Sequence, residues 1–153
     1  DAVSPMRVTE AVNGAVLGPG MVSVAPGGSH LVVERHGDEL RTLLALGPPV
    51  RFHRPSVDVL FHSLVTLPHV DLVAVLLTGM GRDGAEGLLA LRRAGAQTIA
   101  QDQRSSAVFG MPKEAIECGA VQHISSVDQL PSRIMTCLGH RRSAAVPVAS
   151  RTA

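Results

Sequence analysis

Residues 72–84 read LVAVLLTGMGRDG, and this stretch decides the fold class. Its first six residues are all apolar, which is typical of a strand that other elements cover on both faces. Glycines follow at 79, 81 and 84, and a helical pattern then runs from about Gly84 to Ala94. A buried strand that leads through a short loop into a helix predicts an α/β unit.

The segments after this stretch repeat the same alternation. We predict a strand at 97–101, a helix that begins near Pro112 and is closed by Gly119, and a third strand at 121–124. A last helix is predicted to begin somewhere within 126–131. Because strands joined by helices require right-handed crossovers, we expect a doubly wound, mostly parallel sheet with helices on both faces, a three-layer α/β/α arrangement.

The segment before residue 47 has a different pattern. Short apolar runs at 21–25, 30–35 and 41–46 are separated by glycine and proline turn signals, so we predict short strands there. The last two flank a four-residue turn and are predicted to form an antiparallel hairpin. After a proline-rich loop, apolar residues at helical spacing from Val57 predict a helix with Ser56 as its N-cap.

The composition restricts the classes of function. The chain has 153 residues, 45% of them apolar and 18% charged, with a net charge of +1, as in an ordinary globular protein. This charge gives no reason to propose nucleic-acid binding, and with no Trp, no Tyr and three Phe there are few groups for stacking bases.

Neither the cysteines nor the apolar runs indicate metal binding or membrane insertion. The two cysteines have no metal-ligand spacing, and no apolar run approaches the length of a membrane span. We predict no metal, no cofactor, no membrane insertion and a cytoplasmic location. Residues 1–140 are predicted to form one domain. Residues 141–153 are predicted to be a disordered tail, because they are small, polar and aperiodic.

The glycine loop permits more than one interpretation. Gly79, Gly81 and Gly84 match the G-x-G-x-x-G pattern of a dinucleotide-binding loop, and Asp102 lies at the spacing expected of a ribose-binding acid. Against this, Asp83 would place its carboxylate beside the pyrophosphate. Alternatively, Asp83 orients a histidine in a Ser-His-Asp triad, or it simply caps its own helix. The residues alone leave these interpretations open.

Three blocks of the sequence resemble the C-terminal part of the catalytic domain of CheB-type chemotaxis receptor methylesterases. They are LLTGMGRDGAEGLLALRRAGAQTIAQDQRSSAVFGMPKEAIECGAV, GPPVRFHRPSVDVLFHSL and VAPGGSHL, and the similarity runs from about Met6 to Leu138. That family hydrolyses γ-glutamyl methyl esters on methyl-accepting chemotaxis receptors with a Ser-His-Asp triad, and many members also deamidate receptor glutamines. The resemblance therefore implies a cytoplasmic protein-glutamate methylesterase of chemotaxis.

The resemblance also implies roles for individual residues. Asp83 matches the triad acid. Met80 matches a position associated with the active site, where its backbone N–H would serve the oxyanion. Two further segments, residues 53–56 and residues 109–112, match loops beside the family's cleft. Together with the glycine loop they supply the candidate cleft-lining residues, which are His53, Arg54, Ser56, Gly79, Gly81, Phe109 and Met111.

The sequence departs from the family at two motifs. The Gly-Ala-Ser-Thr-Gly-Gly turn that carries the family's serine and the His-Met segment that carries its base do not occur in these 153 residues. We therefore expect an N-terminally incomplete catalytic domain, inactive by itself, with an unpaired apolar edge on its sheet. The alternative is a non-enzymatic split or degenerate half-domain that binds a partner fragment or a receptor. The missing N-terminal part and a receiver domain are further candidate partners.

Overall fold

The computed structural model describes residues 4–67 and 70–144. Eight strands, four α-helices and one 3₁₀ helix (η1) lie within these ranges. In chain order they are β1 (Arg7–Glu10), β2 (Val16–Leu17), β3 (Met21–Val24), β4 (His30–His36), β5 (Glu39–Ala45), α1 (Val57–Val65), β6 (Val73–Leu76), α2 (Ala85–Arg93), β7 (Gln97–Gln101), α3 (Met111–Glu117), β8 (His123–Ser125), η1 (Val127–Gln129) and α4 (Leu130–Ala144).

The strands β6, β7 and β8 form a parallel sheet in that order, and helices cover both of its faces. Successive side chains of a strand point to opposite faces. Accordingly, Ala74 and Leu76 pack into a cluster with residues of α1, α2 and α3. Val73 and Val75 pack on the opposite side, against residues of β7 and α4. The predicted three-layer α/β architecture is confirmed.

The strands within residues 7–45 form two smaller sheets. The predicted hairpin is present as β4 and β5, which pair antiparallel over seven residues each, and β2 adds to the outer edge of β5. In a separate two-stranded sheet, β1 pairs parallel with β3. The strands β1 and β2 are not among the predicted elements, because they are short and lack a clear period-two alternation of apolar residues.

The last helix differs from the prediction at its end. It begins at Leu130, after η1, whose N-cap is Ser126. It continues through Ala144, four residues into the segment that was predicted to be a disordered tail. Arginine and alanine are good helix formers, so residues 141–144 extend the helix although they show no apolar periodicity. Residues 145–153 lie outside the described part of the chain.

Both edge strands of the parallel sheet, β6 and β8, lack a second neighbouring strand within 4–67 and 70–144. The strand β6 pairs with β7 alone. Near this edge, three large apolar side chains are exposed by 40–68% of their area, namely Leu77, Met135 and Leu138. This agrees with the predicted unpaired apolar edge. No helix in the described ranges is long and apolar enough to cross a membrane.

The helices α1 and α2 pack closely at Gly87. A Cβ atom at this position would lie 2.6 Å from the Cβ of Phe61 and 3.2 Å from the carbonyl oxygen of Asp58. The amide of Gly87 also donates to the Asp58 carboxylate at 2.8 Å. The contact fixes α1 against α2, and therefore fixes the start of α1 relative to the glycine loop.

We expect Gly87→Ala to lower the free energy of unfolding by about 1–3 kcal/mol, because the added methyl group would force the two helices apart. Gly139→Ala in α4 is the matched control, since a Cβ there meets nothing within 4 Å. That change should raise stability by about 0.5–1 kcal/mol through helix propensity. Urea unfolding measures both, and a Gly87→Ala protein as stable as the unsubstituted one would contradict the packing argument.

Candidate active site

The side chain of Asp83 is only 4% exposed and accepts three hydrogen bonds from the start of α1. Its Oδ1 accepts the Ser56 hydroxyl at 2.7 Å and the Asp58 amide at 3.1 Å. Its Oδ2 accepts the Val57 amide at 2.8 Å. The first amides of a helix have no partners within the helix, and a carboxylate beside them is favoured by the helix dipole. Asp83 therefore caps α1 from outside that helix.

This arrangement corrects two expectations about caps. Asp83 does not cap its own helix, because Gly84, with φ 87°, is the N-cap of α2 and no side chain bonds to that cap. Ser56 is the N-cap residue of α1 in its backbone conformation, but its hydroxyl makes no bond to the helix amides. The hydroxyl instead donates to Asp83, which takes over the capping role.

His30 contacts the same cluster from the hairpin side. Its Nε2 lies 3.0 Å from the carbonyl oxygen of Pro48, and its Nδ1 accepts the Ser56 amide at 3.2 Å. The side chain is 3% exposed. His30 is not among the predicted site residues, although the resemblance includes the block VAPGGSHL that carries it. The only local signal is a histidine at the beginning of an apolar strand.

The glycine loop is joined to the loop before α3 by backbone hydrogen bonds. The Gly79 amide donates to the Val108 carbonyl at 3.0 Å, and the Gly79 carbonyl accepts the Met111 amide at 2.8 Å. Gly79 and Phe109 form a parallel bridge. A Cβ at Gly79 would overlap the Met111 sulfur, so any larger residue at this position would displace the Met111 side chain. The candidates Gly79, Phe109 and Met111 are thus brought together.

A depression of about 440 Å³ lies above Asp83. It is lined by residues of the loop before α1 and of the glycine loop, which are Arg51, Phe52, His53, Met80, Gly81, Arg82 and Asp83. Four candidates from the sequence, His53, Met80, Gly81 and Asp83, therefore share this surface. Arg54 is not part of the lining; its guanidinium donates to the Gly47 carbonyl at 3.1 Å and fixes the loop.

The rim of the depression is a tight turn. Val50 and His53 exchange backbone hydrogen bonds of 3.0 and 2.9 Å, and the two residues between them, Arg51 and Phe52, both have positive φ, at 49° and 68°. Turns of this kind favour Asn and Gly. Phe52 is a bulky residue at one of these positions, and its side chain is fully exposed, at 101%.

An ion-pair network holds Arg51 in place. Its guanidinium lies 2.6 Å from Glu86 and 3.3 Å from Asp58, which is 5% exposed. The hydrogen bond from Arg51 lowers the pKa of Glu86, and the same bond raises the pKa of Arg51. Glu86 also contacts Arg82 at 3.1 Å, so one carboxylate joins the turn to the glycine loop.

The dinucleotide interpretation has no support in this geometry. Asp102 accepts the amide and hydroxyl of Ser105 within its own loop, and these bonds lower the pKa of Asp102. Within 4–67 and 70–144, no group of three or more His, Cys, Asp and Glu could hold a metal ion.

Comparison with known proteins decides the family. Residues 1–134 match the family model described as CheB methylesterase.

The chain belongs to the CheB methylesterase family.

Relatives within the family are closely similar in sequence. The protein-glutamate methylesterase/protein-glutamine glutaminase 2 of Cereibacter sphaeroides is 52% identical over 136 residues, which cover 88% of this chain and 37% of that protein. The corresponding protein of Methylobacillus flagellatus is 46% identical over 97% of this chain and 42% of its own length. This CheB-family chain thus spans about two fifths of the length of these relatives.

The fold agrees with a solved member of the family. The crystal structure of the Thermotoga maritima CheB methylesterase catalytic domain matches with a TM-score of 0.86 and 32% sequence identity. The match covers 89% of this chain and 72% of that domain. The catalytic domain of the Thermotoga protein therefore contains residues that have no counterpart among those matched here.

We expect Phe52→Asn to raise the free energy of unfolding by about 0.5–1 kcal/mol, because Asn tolerates positive φ better than a bulky residue does. Phe52→Ala is the matched control. It removes the same exposed ring but keeps the backbone strain, so its stability should change by less than about 0.5 kcal/mol. Thermal and urea unfolding of both variants test this. Equal gains for Asn and Ala would show that the exposed ring, and not the backbone, is the source of the cost.

Proposed function

We propose that Asp83 is the acid of a Ser-His-Asp triad that hydrolyses γ-glutamyl methyl esters of chemotaxis receptors in the cytoplasm. The serine and the histidine are supplied by residues outside these 153. The relatives named protein-glutamate methylesterase/protein-glutamine glutaminase support this activity and add receptor glutamine deamidation to it.

One observation about Asp83 carries the proposal. A carboxylate offers about four lone-pair positions on its two oxygens. Oδ1 accepts two hydrogen bonds and Oδ2 accepts one, so Oδ2 keeps one acceptor position among the described contacts. Asp83 also lines the depression, and we propose that an imidazole N–H reaches this acceptor position from that side.

The three donors suit Asp83 to the role of triad acid. They hold the carboxylate in one orientation, since each of them donates to one of its two oxygens. An ionised carboxylate orients a histidine and stabilises the imidazolium that forms when this histidine takes the proton of the serine. The serine then attacks the ester carbonyl, methanol leaves, and water hydrolyses the acyl-enzyme.

The glycine loop is suited to stabilise the oxyanion of this reaction. Met80 lies at the lining of the depression, three residues before the acid, and its backbone N–H is the donor that we assign to the oxyanion. The neighbouring backbone is held by Gly110, where a Cβ would come within 3.2 Å of the Met80 Cα and 2.7 Å of the Gly79 carbonyl oxygen. A preorganised loop is what such stabilisation requires.

The open edge at β6 is the surface against which the rest of the catalytic domain packs in this proposal. A strand that pairs with β6 would cover an apolar edge and bring its own C-terminal end beside the glycine loop. Leu77, Met135 and Leu138 would be covered at the same time. The receptor substrate and a regulatory receiver domain would bind to the completed domain.

We expect the 153-residue chain alone to hydrolyse neither methylated receptor nor a chromogenic ester, because only the acid of the triad is on it. Hydrolysis is measured by methanol release from methylated receptor and by the absorbance of the chromophore that is released from the ester. If the chain alone hydrolyses either substrate, and if Asp83→Ala abolishes this hydrolysis, the expectation is wrong. If a protein that also carries the serine and histidine segments is inactive as well, the non-enzymatic half-domain becomes the better interpretation.

In a protein that carries all three triad residues, we expect Asp83→Asn to lower kcat by roughly 10⁴-fold. The same change should also destabilise the domain. At least one backbone amide of α1 would then face the NH2 group of the asparagine instead of an oxygen, at a cost of roughly 1–3 kcal/mol. Asp83→Asn is therefore expected to lower both the activity and the stability of the domain.

Asp58→Asn separates the two effects. Asp58 is buried to a similar degree and accepts the Gly87 amide, but it does not line the depression. We expect this control to lose stability and to keep kcat within about tenfold, measured at a temperature where both variants are folded by circular dichroism. Equal losses of kcat in the two variants would mean that Asp83 acts only through the fold.

A further inference from the structure

We propose that His30 is a positioning residue for the triad acid, held as one neutral tautomer that fixes Ser56 and, through Ser56, the carboxylate of Asp83. This inference rests on the proposed function of Asp83. It assigns a task to a buried histidine that the reaction itself does not use.

The partners of His30 determine its tautomer. The Pro48 carbonyl can only accept a hydrogen bond, so Nε2, at 3.0 Å from it, carries a proton. The Ser56 amide can only donate, so Nδ1, at 3.2 Å from it, carries none. The ring is therefore neutral, with its proton on Nε2.

His30 connects the hairpin to the acid in two steps. The first step is the bond from the Ser56 amide to Nδ1. The second is the bond from the Ser56 hydroxyl to Oδ1 of Asp83, at 2.7 Å. The Val57 and Asp58 amides follow directly in the chain and donate to the same carboxylate. A shift of Ser56 would thus move all three donors of Asp83, and with them the direction of its remaining acceptor position.

The cluster of serine, histidine and aspartate is not itself a catalytic triad. In a triad the serine hydroxyl donates to the histidine and the histidine donates to the acid. Here the Ser56 hydroxyl donates directly to Asp83, and both nitrogens of His30 are already bonded elsewhere. His30 has no nitrogen available to accept a proton from a nucleophile, which leaves the positioning role.

Two substitutions at His30 each keep one of its contacts. His30→Asn places an amide oxygen near the position of Nδ1 and keeps the acceptor for the Ser56 amide. His30→Gln places an amide nitrogen near the position of Nε2 and keeps the donor to Pro48. Because the path to Asp83 runs through Ser56, we expect the Asn variant to keep kcat within about twofold. The Gln variant should lose about tenfold in kcat with KM unchanged, the effect of one weakened hydrogen bond.

These kinetics are measured in the protein that carries the serine and histidine segments, with the folded fraction of each variant followed by thermal unfolding. Equal kcat values for Asn and Gln, or a change confined to KM, would overturn the proposal. A purely structural role would lower the stability of both variants and leave their kcat values alike.

A second measurement does not depend on a variant that folds. Long-range ¹H–¹⁵N correlation spectra of the unsubstituted protein report which nitrogen of each imidazole carries the proton. We expect His30 to show only the Nε2-protonated form, and a protonated Nδ1 would overturn the proposal. If Asp83→Asn keeps full activity while His30 shows this tautomer, the proposed function has failed and the placement of His30 in the fold has not.

Discussion

The hydrogen bonds between the Asp83 carboxylate and the start of α1 are the interaction on which the rest of the site depends. They join two segments that are 25–27 residues apart in sequence, the loop after β6 and the loop before α1. Removal of a buried carboxylate would leave the amides of α1 unsatisfied, at a cost of roughly 1–3 kcal/mol for each group. The same contacts that stabilise the fold therefore set the orientation of the acid.

The sequence predicted the elements whose signals are local. A continuous apolar run identified β6, β7 was predicted at its observed bounds, and turn residues located the hairpin of β4 and β5. The position of Ser56 as the N-cap of α1 was predicted, but the hydrogen bond from its hydroxyl to Asp83 was not. The preference for serine at an N-cap is a local rule. That rule cannot reveal a carboxylate from another loop that takes over the amides. His30 was missed for the same reason, since both of its partners, Pro48 and Ser56, are distant in sequence.

The G-x-G-x-x-G spacing illustrates how one pattern can arise from different physical needs. In a dinucleotide-binding loop the first glycine permits a tight turn, the second lets the backbone approach the pyrophosphate, and the third allows close packing of helix and strand. Here Gly79 makes room for the Met111 side chain, and Gly84 combines positive φ with close contact to Val57 and Leu76. Packing of the loop between α1 and α3 therefore explains Gly79 and Gly84, whereas Gly81 has a positive φ of 85° and no close neighbour. The carboxylate inside the pattern is the sequence feature that distinguishes the two cases.

Two buried carboxylates share the head of α1, and their different partners separate their roles. Asp58 accepts the Gly87 amide and pairs with Arg51, so its charge is balanced by a cation and by a helix contact. Asp83 has backbone and hydroxyl donors but no cation among its described partners. A carboxylate that a cation already neutralises has less charge left to stabilise an imidazolium, whereas one held only by neutral dipoles keeps it. On electrostatic grounds, these partners favour Asp83 over Asp58 for the proposed role of triad acid.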